Sequence, residues 1–136
     1  MLELSRSCIP YTPLKRELKD CRIALVSTSG AYVEGMQPFG ENDLSYRLIP
    51  ADTDTKNLRF VPGHFDTSKG AEDPNIMFPL DRLRELVMAG EIGSLTENQI
   101  SMGLTTELRK LKEVVSWEIA DAVMKLRPAV VLLTGG

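Results

Sequence analysis

CRIALVS, Cys21–Ser27, is a nearly continuous apolar run broken only by Arg22. A run this short and this apolar suits a strand covered on both faces, as in a parallel sheet. It ends in the small polar turn Thr28-Ser29-Gly30. The last segment, AVVLLT, Ala129–Thr134, has the same character and predicts a second inner strand, closed by Gly135-Gly136. Before it, Leu108, Leu111, Val115, Ile119, Ala122 and Val123 form a stripe at helical spacing, predicting a helix from about Thr105 to Leu126. Thr105 or Thr106 caps that helix, Lys125 and Arg127 suit its C-terminal dipole, and Pro128 stops it. Strand, helix and strand with apolar runs at both ends predict parallel pairing of the two strands, the helix lying on one sheet face.

Further inward the signals weaken. LSYRLI, Leu44–Ile49, alternates as a strand and stops at Pro50, and LRFV, Leu58–Val61, predicts a third, weaker strand. The stretch GHFDTSKGAEDPNIMF, Gly63–Phe78, is polar and irregular. A loop of that length in a compact chain is usually functional or disordered. Pro79 opens a helix with Leu80, Leu83, Leu86 and Val87 on one face and Gly90 as its C-cap. Glu91–Gly103 reads as a connector. The organisation is an N-terminal arm (1–20) on an α/β domain (21–136). The fold class is α/β: three layers, a mainly parallel sheet with flanking helices, like half of a doubly wound Rossmann or flavodoxin sheet, cut at its last strand.

Composition narrows the function. The chain has 136 residues and a formal net charge of −3, so it has no electrostatic pull toward nucleic acid or anionic membrane. No apolar run approaches a membrane span, and the N-terminus lacks the pattern of a secretory signal. Two cysteines, Cys8 and Cys21, are too far apart for a CxxC pair and too few for a disulfide framework or a metal site. Free thiols predict a cytoplasmic protein. His64 is the single histidine.

Three blocks carry a resemblance. PLKRELKDCRIALVSTSGAY (Pro13–Tyr32), LSYRLIPADT (Leu44–Thr53) and GHFDTSKGAEDPNIMFPLDRLRELVMAGEIGSL (Gly63–Leu95) resemble the D-proline/glycine reductase selenoprotein family, the second block its proline reductase branch. HFD, DPN and FPLDRLREL occur in order at family-like spacing. The resemblance implies an oxidoreductase that reductively cleaves a C–N bond alpha to a carboxylate. A partner subunit's pyruvoyl group holds the amine, and this chain needs no cofactor of its own. A dithiol or thioredoxin-like donor restores the reduced state, in a homo- or hetero-oligomer. It also implies that the strand resembling VVLLTGG leads into a selenocysteine or cysteine. This chain then stops just short of its nucleophile, as a product read without UGA recoding does, and is inactive by itself. Two positions depart from the family pattern: Pro62 stands where a second histidine is common, and Asn98-Gln99 where a His-Tyr-like pair is common.

The candidate site residues follow. Gly135 and Gly136 form the turn presenting the nucleophile, glycine permitting close substrate approach; a free chain end is the plain alternative. His64 and Asp66, two apart, form an imidazole–carboxylate pair that supplies a proton to the leaving amine; a locally bonded loop histidine is the alternative. Ser27, Thr28, Ser29 and Gly30 follow the first strand, where backbone N–H groups can meet a carboxylate. Asp73 and Asn75 read as turn formers. Asp81, Arg82, Arg84 and Glu85 read as a solvated helix face, and Trp117 as packing. The rival function is a non-catalytic binding or scaffolding subunit. The codon after Gly136 discriminates: UGA followed by open frame and a nearby cysteine codon favours the enzyme.

Overall fold

A computed structural model describes residues 12–62 and 67–135. Cys21–Ser27 does form the central strand: β1, Arg22–Ser27, is buried at every position but Arg22. Short strands β2 (Ala31–Val33) and β4 (Leu58–Phe60) follow, separated by β3 (Tyr46–Pro50). Then come helices α1 (Ser68–Glu72) and α2 (Leu80–Met88), strands β5 (Ser94–Leu95) and β6 (Asn98–Met102), a long helix, and β7 (Val130–Thr134).

β7 pairs with β1 in parallel over the whole run from Ile23↔Val130 to Ser27↔Thr134. β5 pairs with the start of β1 and β6 with its end, both in parallel, and β3 closes the sheet antiparallel to β6. The sheet is therefore mixed, with mostly parallel strands. β2 and β4 form a separate antiparallel pair, so the weak third strand lies outside the main sheet.

The segment 91–103, expected to be a connector, instead holds two strands of the main sheet, the short β5 and the inner strand β6. Glu91–Gly103 looks like a connector because a two-residue break, Thr96-Glu97, splits what is nearly one strand. Gln99 repairs the break. Its Oε1 accepts from the Leu25 N–H at 2.7 Å, and its Nε2 donates to the Thr96 carbonyl at 2.8 Å, all of it buried. A polar side chain thus completes the ladder where backbone cannot.

The residues of β1 alternate between two cores. Cys21, Ile23 and Leu25 face Phe78, Leu80, Leu83 and Ile92, with Ala31 and Leu58 of the small sheet in the same cluster. Val26 and Ile100 face Ala122 and Leu126 of the long helix. Leu25, Ile49, Phe78, Leu80 and Ile100 are fully buried, each contributing about 1.5–3 kcal/mol of apolar transfer. Three layers result, as expected for the fold class.

The long helix begins as α3 (Leu108–Lys110), passes through a π-helical stretch (Leu111–Val115) and continues as α4 (Ser116–Leu126). The helix starts later than expected, with Glu107 rather than Thr105 or Thr106 as its N-cap and no side-chain cap bond; Thr105 Oγ1 accepts from the Glu107 N–H just ahead of it. The π stretch under-winds the helix, so residues before it rotate off the sheet-facing stripe. Leu108, expected on that stripe, is 69% exposed. Trp117, expected to pack, stands 70% exposed on the outer face with Val114 and Met124. α2 starts one residue later than expected, with Pro79 as its N-cap; Gly90 follows it at φ +73°, the left-handed terminator that glycine supplies.

β7 also departs from expectation. It is an edge strand among the described residues, not an inner one: Val131, Leu132 and Leu133 are exposed. No helix among the described residues is long and apolar enough to cross a membrane.

Candidate functional site

β1, β6 and β7 run in parallel, so their C-terminal ends meet along one rim, the usual ligand side of an open α/β sheet. Gly30 fastens this rim. At φ +65° its N–H donates to the Met102 carbonyl at the end of β6, while its carbonyl accepts from the Val61 N–H beyond β4. A cavity of about 460 Å³ opens there, lined by Ser29, Gly30, Phe39, Asn42, Gly103 and Thr106 among others.

The outer wall is the loop after β2. Phe39 is buried against Gly103, where an added Cβ meets the ring at 3.3 Å, a tight contact that a larger residue makes only if the ring gives way slightly. Arg47 lies over the other side of the wall, 4.3 Å from the Phe39 ring centroid, and donates to the Gln37 carbonyl. Asp43 accepts from the Ser45 hydroxyl at 2.6 Å and pairs with Arg47 at 3.3 Å. The Ser45 hydroxyl foremost, with the backbone N–H groups and Arg47, outweighs burial and holds the Asp43 carboxyl below its ordinary range. Asn42 sits at φ +52° and its Oδ1 accepts from both the N–H and the hydroxyl of Thr106.

The predicted residues divide. Ser29 and Gly30 line the cavity. Ser27 lies beneath it, its hydroxyl donating to that of Ser29 at 2.9 Å with the Met77 carbonyl 3.4 Å away. Thr28 turns away, and its N–H donates to the Thr134 carbonyl. That bond places Gly135 beside the turn after β1. His64, Asp66 and Gly136 lie outside the described residues; Pro62, two positions before His64, lines the cavity. Phe39, Asn42, Gly103 and Thr106 escape sequence reading, since only the unread strand β6 brings Gly103 to the rim.

Two further hydroxyls stand here. Ser101 and Thr134 are the register partners of Ser27 on either side. Their oxygens are buried with no hydrogen-bond partner among the described residues. Leaving such a group unpaired costs about 1–3 kcal/mol, a cost an alanine or valine there avoids.

Asp73 and Asn75 form a turn as expected: Asp73 Oδ1 accepts from the Asn75 N–H. The Asp81 group is not a solvated face, which is a correction. Asp81 accepts from the Thr55 hydroxyl at 2.6 Å and from Asn75, and pairs with Arg84 at 2.8 Å. Arg84 also donates to the Ala51 and Thr53 carbonyls, so the cluster pins the 51–55 turn to α2. Arg82 and Glu85 do pair at the surface.

Burial pushes the Asp81 carboxyl up, but the hydrogen bonds from Thr55, Asn75 and Arg84 outweigh it, and the net shift is downward from 3.8. A carboxyl with a lowered folded-state pKa stabilises the fold above its unfolded value, and that stability is lost as pH falls through the folded value. The expected result is a Tm that drops below about pH 4. In Asp81→Asn the drop is shallower and the neutral-pH Tm lower, which thermal melts from pH 7 to 2.5 measure. An unchanged acid limb removes Asp81 from this role.

The described residues hold no cluster of three or more His, Cys, Asp and Glu able to bind a metal. The free thiol among them, Cys21, is buried at the opposite, N-terminal end of β1, where Sγ donates to the Glu17 carbonyl.

Comparison with known proteins adds the missing context. Residues 4–135 match the family described as glycine/sarcosine/betaine reductase selenoprotein B (GRDB). The chain is similar to the D-proline reductase subunit gamma of Acetoanaerobium sticklandii, 34% identical over 128 residues, covering 93% of this chain and 53% of that protein. It thus spans about half the length of the curated relative it matches. No solved structure matches.

Proposed function

The chain belongs to the glycine/sarcosine/betaine reductase selenoprotein B family, and from that premise we propose that it is the N-terminal part of the nucleophile-bearing subunit of a cytoplasmic reductase that cleaves the C–N bond of an amino acid or amine. The observation carrying this reading is the family match across nearly the whole chain. The rim geometry is compatible with it, since the cavity at Ser29 and Gly30 opens beside the end of β7.

In this reading a selenolate or thiolate following Gly136 attacks the alpha carbon. The C–N bond breaks, its electron pair stays on nitrogen, and the nitrogen takes a proton from the His64–Asp66 pair or the rim. A neighbouring thiol then resolves the carbon–chalcogen bond. This leaves a C–H bond on the product and a sulfur–chalcogen bond on the protein, which an external dithiol reduces. In sum, one substrate amine and two thiols give the deaminated product, a free amine and a disulfide. The partner's pyruvoyl group supplies an electrophile that holds the amine. Ser29, Gly30 and Gly135 line the approach, and the outward stripe Val114, Trp117 and Met124 is available for a subunit contact.

The test assembles the chain, at the length of its curated relative, with a pyruvoyl-bearing subunit and a dithiol, and assays D-proline, glycine, sarcosine and betaine. Turnover of one of them is expected; inertness toward all sinks the reading. In the active assembly, His64→Gln lowers kcat about 10²–10⁴-fold with Tm nearly unchanged. A lower Tm at full activity assigns His64 a structural role instead.

A further inference from the structure

Ser101, Ser27 and Thr134 stand in one register line across β6, β1 and β7. Residues in register on adjacent strands point to the same face, and Ser27 marks that face, its hydroxyl lying 3.4 Å from the Met77 carbonyl. Among the described residues only Ser27 is partnered. Its neighbours Ser101 and Thr134 bring buried hydroxyls that find no partner among those residues to either side of it. Adjacent strands lie about 4.8 Å apart. That spacing is long for a direct bond between parallel hydroxyls and right for one bridging water, and a small polar gap is where buried water resides. From Ser27 the line turns toward the cavity: its hydroxyl is 2.9 Å from that of Ser29, which lines the cavity wall. At its other end Thr134 directly precedes Gly135.

We propose that Ser101, Ser27 and Thr134 hold ordered water between them, and that Thr134, Ser27 and Ser29 form a proton relay from the end of β7 to the cavity. The proposal rests on the functional reading above, in which the thiol or selenol proton arises near Gly135 and the leaving nitrogen sits in the cavity. Each relay hydroxyl accepts one proton and donates one, so none changes charge. One proton leaves the chalcogen end and one arrives on nitrogen. A hydroxyl suits this task because it is donor and acceptor at once. Three hydroxyls in adjacent buried positions, where alanine or valine fills the same space without a polar cost, have a reason to be there only if they find partners.

Two measurements test it. In the active assembly, Thr134→Val lowers kcat about 100-fold and enlarges the solvent deuterium isotope effect on kcat, while Thr134→Ser retains most of the rate. In the 136-residue chain, Ser101→Ala and Thr134→Val each lower Tm by about 3–6 °C, because bridged hydroxyls are lost. A higher Tm in these variants shows that the hydroxyls have no partners, and overturns the proposal even if the assembly proves inactive. An unchanged kcat in Thr134→Val, or equal losses in the Val and Ser variants, overturns the relay in an assembly that does turn over. Inertness of the wild-type assembly counts against the functional reading alone, and the Tm shifts then decide the hydrated row.

Discussion

Mixed with a pyruvoyl-bearing partner, a dithiol and D-proline or glycine, the 136-residue chain yields no 5-aminovalerate or acetate above the partner-only control. C–N cleavage by attack at carbon needs an ionised chalcogen at the sheet rim. The chain carries two cysteines, Cys8 and Cys21. Cys21 precedes β1, is 0% exposed, and its Sγ is held by the Glu17 carbonyl. It therefore lies a full strand length from the cavity at Ser29 and Gly30, about 20 Å at 3.3 Å per residue. Cys8 lies thirteen residues earlier, outside the described residues. In the proposed reaction a partner's carbonyl captures the amine but supplies no electrons. On the functional reading proposed above, a chain extended to the length of its curated relative, with selenocysteine or cysteine after Gly136, gives product. This is the largest effect expected, from background to full turnover. Product from the 136-residue chain itself refutes the placement of the nucleophile.

Gln99→Leu lowers stability by about 3 kcal/mol, roughly 10 °C in Tm for a domain of this size. Leucine matches the volume of glutamine and suits a core, so a hydrophobic reading predicts little change. The hydrogen bonds say otherwise. Removing the amide orphans the Leu25 N–H in the middle of β1 and withdraws a donor from the Thr96 carbonyl, both buried. Each orphan costs about 1–3 kcal/mol. Gln99→Glu retains an acceptor for Leu25 but buries a charge, so it is no milder. Chemical denaturation of the variants measures this, and a Gln99→Leu protein as stable as wild type shows that water or a backbone shift satisfies the gap.

β1, the parallel pairing with β7 and the placement of the long helix were legible in the sequence because each rests on local pattern. Cys21–Ser27 is apolar on both faces, and Val115, Ile119, Ala122 and Leu126 repeat at helical spacing. Ser29 and Gly30 were legible as rim residues for the same reason: they follow a central strand. β5 and β6 were not, because the signal of one strand is split at Thr96-Glu97 and Gln99, fully buried within it, is polar. Reading it needs the Leu25 N–H across the sheet, a partner 74 residues away. The helix stripe failed at Leu108 because a π stretch shifts register without altering residue spacing. Asp81 and Arg84 look like surface charges in sequence and become a clamp only when the 51–55 turn arrives.

By itself, then, the sequence determined the central strand, its strand partner at the far end of the chain and the two main helices, and through HFD, DPN and FPLDRLREL which family they belong to, since side-chain periodicity and motif order are written along the chain. Tertiary structure alone decided which polar groups meet. It brought Ser27 between Ser101 and Thr134, Phe39 against Gly103, and Asn42 onto Thr106. These contacts are set by strand order and register, which join residues remote in sequence and leave no periodic trace in it.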